Sequence, residues 1–184
     1  LLAQTDKSMK NFYGLLKDYG LNVESGYIAD TQRCYQGNYY AIFPQLSLSG
    51  DLGSGISNQM VLLLNSPGME KTDTDNDNLT VTPFMQTSDS GYAVTENDQT
   101  QGQYILGAVS INAISADSSD SDSEDEDDKS DATDTDTKTA RLTVLASASM
   151  ISSDITDQLT TLDNLTLFVN SVTENFDNVN NVAI

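Results

Sequence analysis

The sequence predicts an α/β fold, a mixed and mostly parallel sheet flanked by helices. Three observations carry this expectation. Within 140–176 an apolar run, Leu142, Thr143, Val144, Leu145 and Ala146, gives way abruptly to small polar residues at Ser147 and Ser149. Beyond a linker, Leu165, Phe168, Val169, Val172 and Phe176 recur at helical spacing, one apolar face of an α-helix. A strand that empties into a small-residue loop and then a helix is the unit of α/β sheet folds. A second amphipathic segment near the start of the chain completes the pair of helices that would bracket the sheet.

Taken in order, residues 1–3 read as the end of a strand, so the chain is expected to be an excised piece, truncated at its N-terminus, of a longer protein. Thr5 or Asp6 can cap a helix by accepting an orphaned backbone N–H. Met9, Phe12, Leu15, Leu16 and Tyr19 form its buried stripe, and Gly20 stands where a left-handed cap is wanted, with Leu21 closing over it. Residues 21–23 and 26–29 are short strand-like pieces, the second ending at Asp30. Residues 39–43, aromatic and apolar between Gly37-Asn38 and Pro44, make a strand. Gly50, Gly53 and Gly55 mark 49–57 as a flexible loop. The continuous apolar run 60–64 has the character of a strand buried on both faces. After the turn at Ser66-Pro67-Gly68, a polar tract runs to Asn78. The strand 79–85 contains Pro83, which cannot donate to a ladder and therefore belongs at an edge or a bulge. A mixed loop reaches Gln103, and 104–114 is the longest β segment. The strands on either side of 115–138 are expected to pair as a long hairpin.

At 184 residues one core suffices, so 1–184 is read as a single α/β domain carrying 115–138 as an acidic, disordered insertion. The chain has 28 acidic residues against 8 basic ones, a formal net charge of −20. That charge repels phosphate backbones, which argues against nucleic acid as a partner, and it repels anionic membrane surfaces as well. No apolar run is long enough to span a bilayer, so any membrane attachment is expected through segments outside this chain. There is no histidine and only one cysteine, Cys34, which removes the commonest general base, the commonest metal ligand and any intrachain disulfide. The expectation is accordingly no catalytic residue, no metal site and no cofactor.

Four hydroxyl residues are the candidate ligand-binding set. Ser147 and Ser149 lie beyond the carboxyl end of a strand, where open α/β sheets place ligands, and Thr87-Ser88 shares that reading. Small hydroxyl residues also suit turns. Cys34 follows a strand, but with no histidine and only Arg33 beside it, it lacks what forms a thiolate. Residues 73–78 resemble the opening of a calcium loop, yet Asn78 and Phe84 stand where that loop needs glycine and a bidentate glutamate, so a polar turn is the simpler reading. The acidic run 123–128 reads as a solvated charged stretch. The eight tyrosines, scattered along the chain, suit core and rim positions better than one sugar-stacking platform.

Three segments together resemble a known family. KNFYGLLKDYGLNVESGYIAD at 10–30, VTPFMQTSDSGYA at 81–93 and the strand-to-helix segment opening TARLTVLASASMISSD at 139–176 are similar to the auxiliary domain of ABC transporters typified by the G protein of bacterial gliding motility. Departures are visible: Ser147-Ala148-Ser149 stands for the family's Gly-Asp-Ser, Asp163-Asn164 for Gly-Asn, and Thr173-Glu174 for the Asn-Trp-Leu ending. The resemblance implies an amidotransferase-like or flavodoxin-like layer architecture without catalytic machinery. It also implies a non-enzymatic role on the extracytoplasmic face of a bacterial membrane, with ABC permease and ATPase subunits as partners and protein or glycan contacts as the mode of action. The alternatives are a degenerate hydrolase of that fold and a calcium-dependent adhesion module.

Overall fold

Residues 9–114 and 138–174 are described by the computed structural model of this protein, and every strand pair among them is antiparallel. The centre of the largest sheet is β11 (Ile105–Ile114). It pairs on one side with β8 (Leu79–Gln86) and on the other with β12 (Lys138–Leu145), the latter from Gly107↔Leu145 to Ile114↔Lys138. The hairpin expected across the acidic segment is therefore formed; residues 115–137 themselves lie outside the described residues. At the other end of β11, Ile105 pairs with Met69 of β7 (Met69–Lys71), β1 (Leu21–Val23) joins β7, and β5 (Gln45–Leu46) joins β8. Pro83 lies opposite Ala108, where the β8–β11 register shifts, so the proline sits at a bulge as its missing N–H requires.

Two three-stranded sheets complete the β structure. One contains β2 (Tyr27–Asp30), β9 (Gly91–Val94) and β10 (Gln99–Gln101), in the order β10-β9-β2. The other contains β3 (Cys34–Tyr35), β4 (Asn38–Ile42) and β6 (Leu63–Leu64), in the order β3-β4-β6.

This overturns the mostly parallel, helix-flanked layer that the sequence predicts, and with it the flavodoxin-like or amidotransferase-like architecture that the family resemblance implies. The physical reason lies in the connections. A parallel crossover takes a dozen or more residues, usually a helix. Between β1 and β11 the links are shorter than that except for 47–62, whose helical piece is a short 3-10 turn at Gly50–Gly53. The apolar run 60–64 contributes only Leu63 and Leu64 to a ladder. The segments read as polar tract and mixed loop hold β7, β9 and β10; all three are short, and β7 and β10 are polar as well, so they do not announce themselves.

The helices are α1 (Lys10–Asp18), the single turn α2 (Ser153–Thr156) and α3 (Asn164–Thr173). On α1, Leu16 is buried and Phe12 and Tyr13 pack against the core, whereas Leu15 and Met9 of the expected stripe are exposed. The expected cap at Thr5 or Asp6 lies outside the described residues. The helix does end as predicted: Gly20 has φ +74°, its N–H donates to the Lys17 carbonyl at 2.9 Å, and Leu21 is buried. Buried Ser110 of β11 donates to the Tyr19 carbonyl at 2.8 Å, fastening α1 to the central sheet. One apolar cluster runs through the molecule, including Leu16, Ile28, Ile42, Leu63, Phe84, Leu106, Val144 and Leu167.

Helix α3 buries a different face from the one its apolar spacing marks. Asn164, Leu167 and Ser171 are buried and Phe168 packs against the core, while Leu165, Val169 and Val172 are 57%, 47% and 44% exposed. Phe176 lies outside the described residues.

Candidate functional site

Ser147 and Ser149 follow β12 as predicted, but their hydroxyls face the backbone of residues 60–64. The Leu64 N–H donates to Ser149 Oγ at 2.8 Å, Ser147 Oγ donates to the Leu64 carbonyl at 3.1 Å, and the two hydroxyls lie 2.7 Å apart. Two residues upstream, the Leu62 N–H donates to Asn164 Oδ1 at 2.9 Å, and Asn164 Nδ2 returns a bond to the Leu62 carbonyl at 2.8 Å and another to Met150 at 3.1 Å. Two residues further up, the Met60 N–H reaches Asp163 Oδ2 at 3.4 Å and the Asp163 N–H donates to the Met60 carbonyl at 2.8 Å. Residues 60, 62 and 64 point their backbone groups to one side, the period of an extended chain. That side is occupied by side chains and one N–H from 147–164 in place of a strand. This is why the run 60–64 reads as a buried strand and yet is mostly not in a ladder.

The Asp163 carboxylate also accepts from the Ser57 N–H and hydroxyl, both at 3.3 Å, and from the Asn58 N–H at 2.9 Å. Burial, the largest single influence, pushes its pKa up, but these hydrogen bonds together outweigh it and hold the group below the ordinary carboxylate value. The segment read as a flexible loop is pinned from the same helix, where Asn170 Nδ2 donates to the carbonyls of Leu52 at 3.0 Å and Ser54 at 2.7 Å.

Thr87 and Ser88 stand apart from this group, at the end of β8. Thr87 Oγ1 accepts from the Tyr104 N–H at 2.9 Å, and the Thr87 N–H donates to the Tyr104 carbonyl at 2.9 Å. Ser88 donates twice to Asp30, from N–H at 2.7 Å and from Oγ at 2.8 Å. Asp30 Oδ1 also accepts from the Gln32 and Arg33 N–H groups, at 3.0 and 2.9 Å. Its pKa follows the pattern of Asp163: burial raises it most, and the bonds from Ser88, Arg33 and Gln32 overcome that and leave it lowered. The four hydroxyls chosen from the sequence are thus in two separate clusters, and each holds backbone in place. Asp30, Asp163 and Asn164 are the buried polar residues that carry these clusters; the sequence marks Asp30 only as the end of a strand and Asp163-Asn164 only as a departure from the family's Gly-Asn.

Cys34 is a half-buried free thiol opposite Ile42, and Arg33 beside it donates from Nε and Nη2 to the carbonyls of Phe43 and Pro44, at 2.7 and 3.3 Å. Residues 73–78 form a turn into β8, stitched by the Asn76 N–H to Thr74 Oγ1 and the Asn78 N–H to Asn76 Oδ1. Among the described residues no three histidine, cysteine, aspartate or glutamate side chains gather as a metal site needs. The acidic run 123–128 lies outside the described residues.

A groove of about 610 Å³ opens elsewhere, at the seam between the two smaller sheets. Tyr27 of β2 and Tyr40 of β4 line it with Gly26, Asn65, Thr95 and Glu96. The two residues are 44% and 37% exposed. The seam is fixed by backbone bonds: Ile28 N–H to the Ser66 carbonyl at 2.8 Å, and Asn65 N–H to the Tyr40 carbonyl at 3.0 Å. Gly26 has φ +86°, and a Cβ there would meet the Val94 carbonyl oxygen at 2.0 Å, so only glycine lets the chain pass this close to β9. Asn65 holds a left-handed conformation, φ +46°, uncommon for a residue with a side chain. The groove is a preformed concavity with an aromatic surface and hydrogen-bonding groups. Spacing alone gave no sign of it, because Tyr27 and Tyr40 come from different sheets.

Among the described residues no helix is long and apolar enough to cross a membrane. Comparison with protein-family models, with curated proteins and with solved structures finds no match.

Proposed function

We propose that this chain is a non-catalytic domain that works by protein contact, as an extracytoplasmic auxiliary part of an ABC-type transport complex. The observation that carries the non-catalytic half is the occupation of its buried polar groups. Asp30, Thr87, Ser88, Ser147, Asp163 and Asn164 are each engaged by backbone or neighbouring side chains, whereas nucleophilic catalysis needs a hydroxyl or thiol beside a free base. The groove between Tyr27 and Tyr40 supplies the contact surface, with exposed aromatic area of the kind enriched at protein interfaces.

The transporter half rests on the three sequence segments and has lost the layered fold as support. The segments are neighbours in space: Asp30, ending the first, accepts two bonds from Ser88 of the second, and the strand of the third lies one strand away from the second in the central sheet. A photo-crosslinking residue placed at position 40 tests the whole reading in cells that carry this protein. The expected product is an adduct with a permease or ATPase subunit. Adducts confined to unrelated proteins, together with a gene that lies apart from any ATPase and permease genes, would overturn the transporter assignment.

A further inference from the structure

We infer that the groove at the β2–β4 seam receives a cationic side chain, lysine or arginine, presented by the partner protein. This rests on the reading of the groove as the contact surface and adds what the groove selects. Its lining combines two exposed phenol rings, Tyr27 and Tyr40, with one carboxylate, Glu96, and with no lysine or arginine. Aromatic faces attract ammonium and guanidinium groups, and a nearby carboxylate adds charge pairing. The chain as a whole carries a formal net charge of −20, so the field draws cations and repels anions; a neutral ligand gains nothing from it.

The backbone that carries these groups is fixed. Glu96 stands in a tight turn closed by the Thr95 N–H to the Asp98 carbonyl at 2.9 Å and the Asp98 N–H to Thr95 Oγ1 at 3.1 Å. The Tyr27 backbone is set by its pairing with Val94, and the Tyr40 backbone by its carbonyl, which accepts from the Asn65 N–H. Little backbone ordering therefore remains to be done when a ligand enters, which favours binding by a small group.

The test is an amide NMR titration of the full chain at low salt with N-acetyl-arginine amide, against N-acetyl-norleucine amide and methyl glucoside. The expected result is saturable shifts at residues 26–27, 40, 65 and 94–96 with the arginine compound alone, weakening as salt is added. Tyr40→Ala and Glu96→Gln, both at exposed positions, should each weaken binding roughly two- to fivefold with the melting temperature unchanged. Equal shifts at the groove from norleucine amide or methyl glucoside would overturn the cationic specificity and leave the groove as a contact surface. Arginine shifts that spare the groove, or that persist unchanged in both variants, would overturn the inference as well; the crosslink at position 40 then decides separately whether the groove is a contact surface at all.

Discussion

At residue scale the molecule depends on side chains that imitate a neighbouring strand. Asn164 offers a carbonyl and an amide to Leu62 in the geometry a paired strand would, and the Asp163 carboxylate accepts from the N–H groups of Ser57, Asn58 and Met60 while its own backbone N–H donates to the Met60 carbonyl. A buried donor or acceptor that loses its partner costs about 1–3 kcal/mol, more than the bond itself contributes net. Asn164→Ala orphans both Leu62 groups at once and should lower the unfolding free energy by about 2–5 kcal/mol in urea melts. Asn97→Ala, in an exposed turn, should stay within about 0.5 kcal/mol. The two buried carboxylates also set an acid limit. Each has a folded pKa below its unfolded value, so its stabilisation is complete above the ordinary carboxylate value and is lost as pH falls through the lower folded value. Stability should hold flat from neutrality down to about pH 5 and then drop toward pH 2. In Asp163→Asn the protein should be less stable at pH 7 and its stability less steep below pH 4, read from denaturant melts across the range; an unchanged acid slope would mean Asp163 is not the group responsible.

At the scale of elements, α3 shows both what the sequence discloses and what it hides. The most apolar line along the helix is Leu165, Val169 and Val172, and a reading by hydrophobic spacing selects it. The line that docks is Asn164, Leu167 and Ser171, less apolar because two of its members are bonded and not merely packed. Periodicity weighs hydrophobicity and cannot weigh a satisfied amide. Leu167→Ala should therefore cost about 2–5 kcal/mol, and Leu165→Ala, of the same chemistry but facing outward, less than about 0.5 kcal/mol. The reverse ranking in thermal or urea unfolding would show that the spacing had marked the docking face after all. Features that local chemistry dictates were legible: the left-handed end at Gly20, the bulge at Pro83, the strand terminated by Asp30 and the pairing of β11 with β12. Strands β7 and β10, Met-Glu-Lys and Gln-Thr-Gln, exist because a neighbour offers an edge, and nothing in three such residues announces that. The groove was hidden for a similar reason, since its walls meet only after two sheets join along Ile28 and Ser66.

At the scale of the whole molecule, charge opposes compaction while the hairpin of β11 and β12 sets where much of that charge is tethered. The register from Gly107↔Leu145 to Ile114↔Lys138 is held by the ladder and by β8 on the far side of β11, so it does not need the acidic tract to define it. Shortening a loop changes its closure entropy only slowly, about 0.6 kcal/mol for each halving. Removing residues 118–136 takes out ten acidic residues and one lysine, which brings the formal net charge from −20 to −11. Both effects act in the same direction, since a shorter loop closes at lower cost and a smaller net charge repels itself less. The deletion should leave the melting temperature unchanged or raise it by a few degrees. Salt separates the two contributions. In the full chain, raising ionic strength from about 0.01 to 0.15 M shortens the screening length from about 30 to 8 Å and should raise the melting temperature. In the deletion variant that rise should be clearly smaller, because less self-repulsion remains to be screened. A deletion that lowers the melting temperature by ten degrees or more at both salt concentrations would show instead that the acidic tract contributes contacts to the folded state.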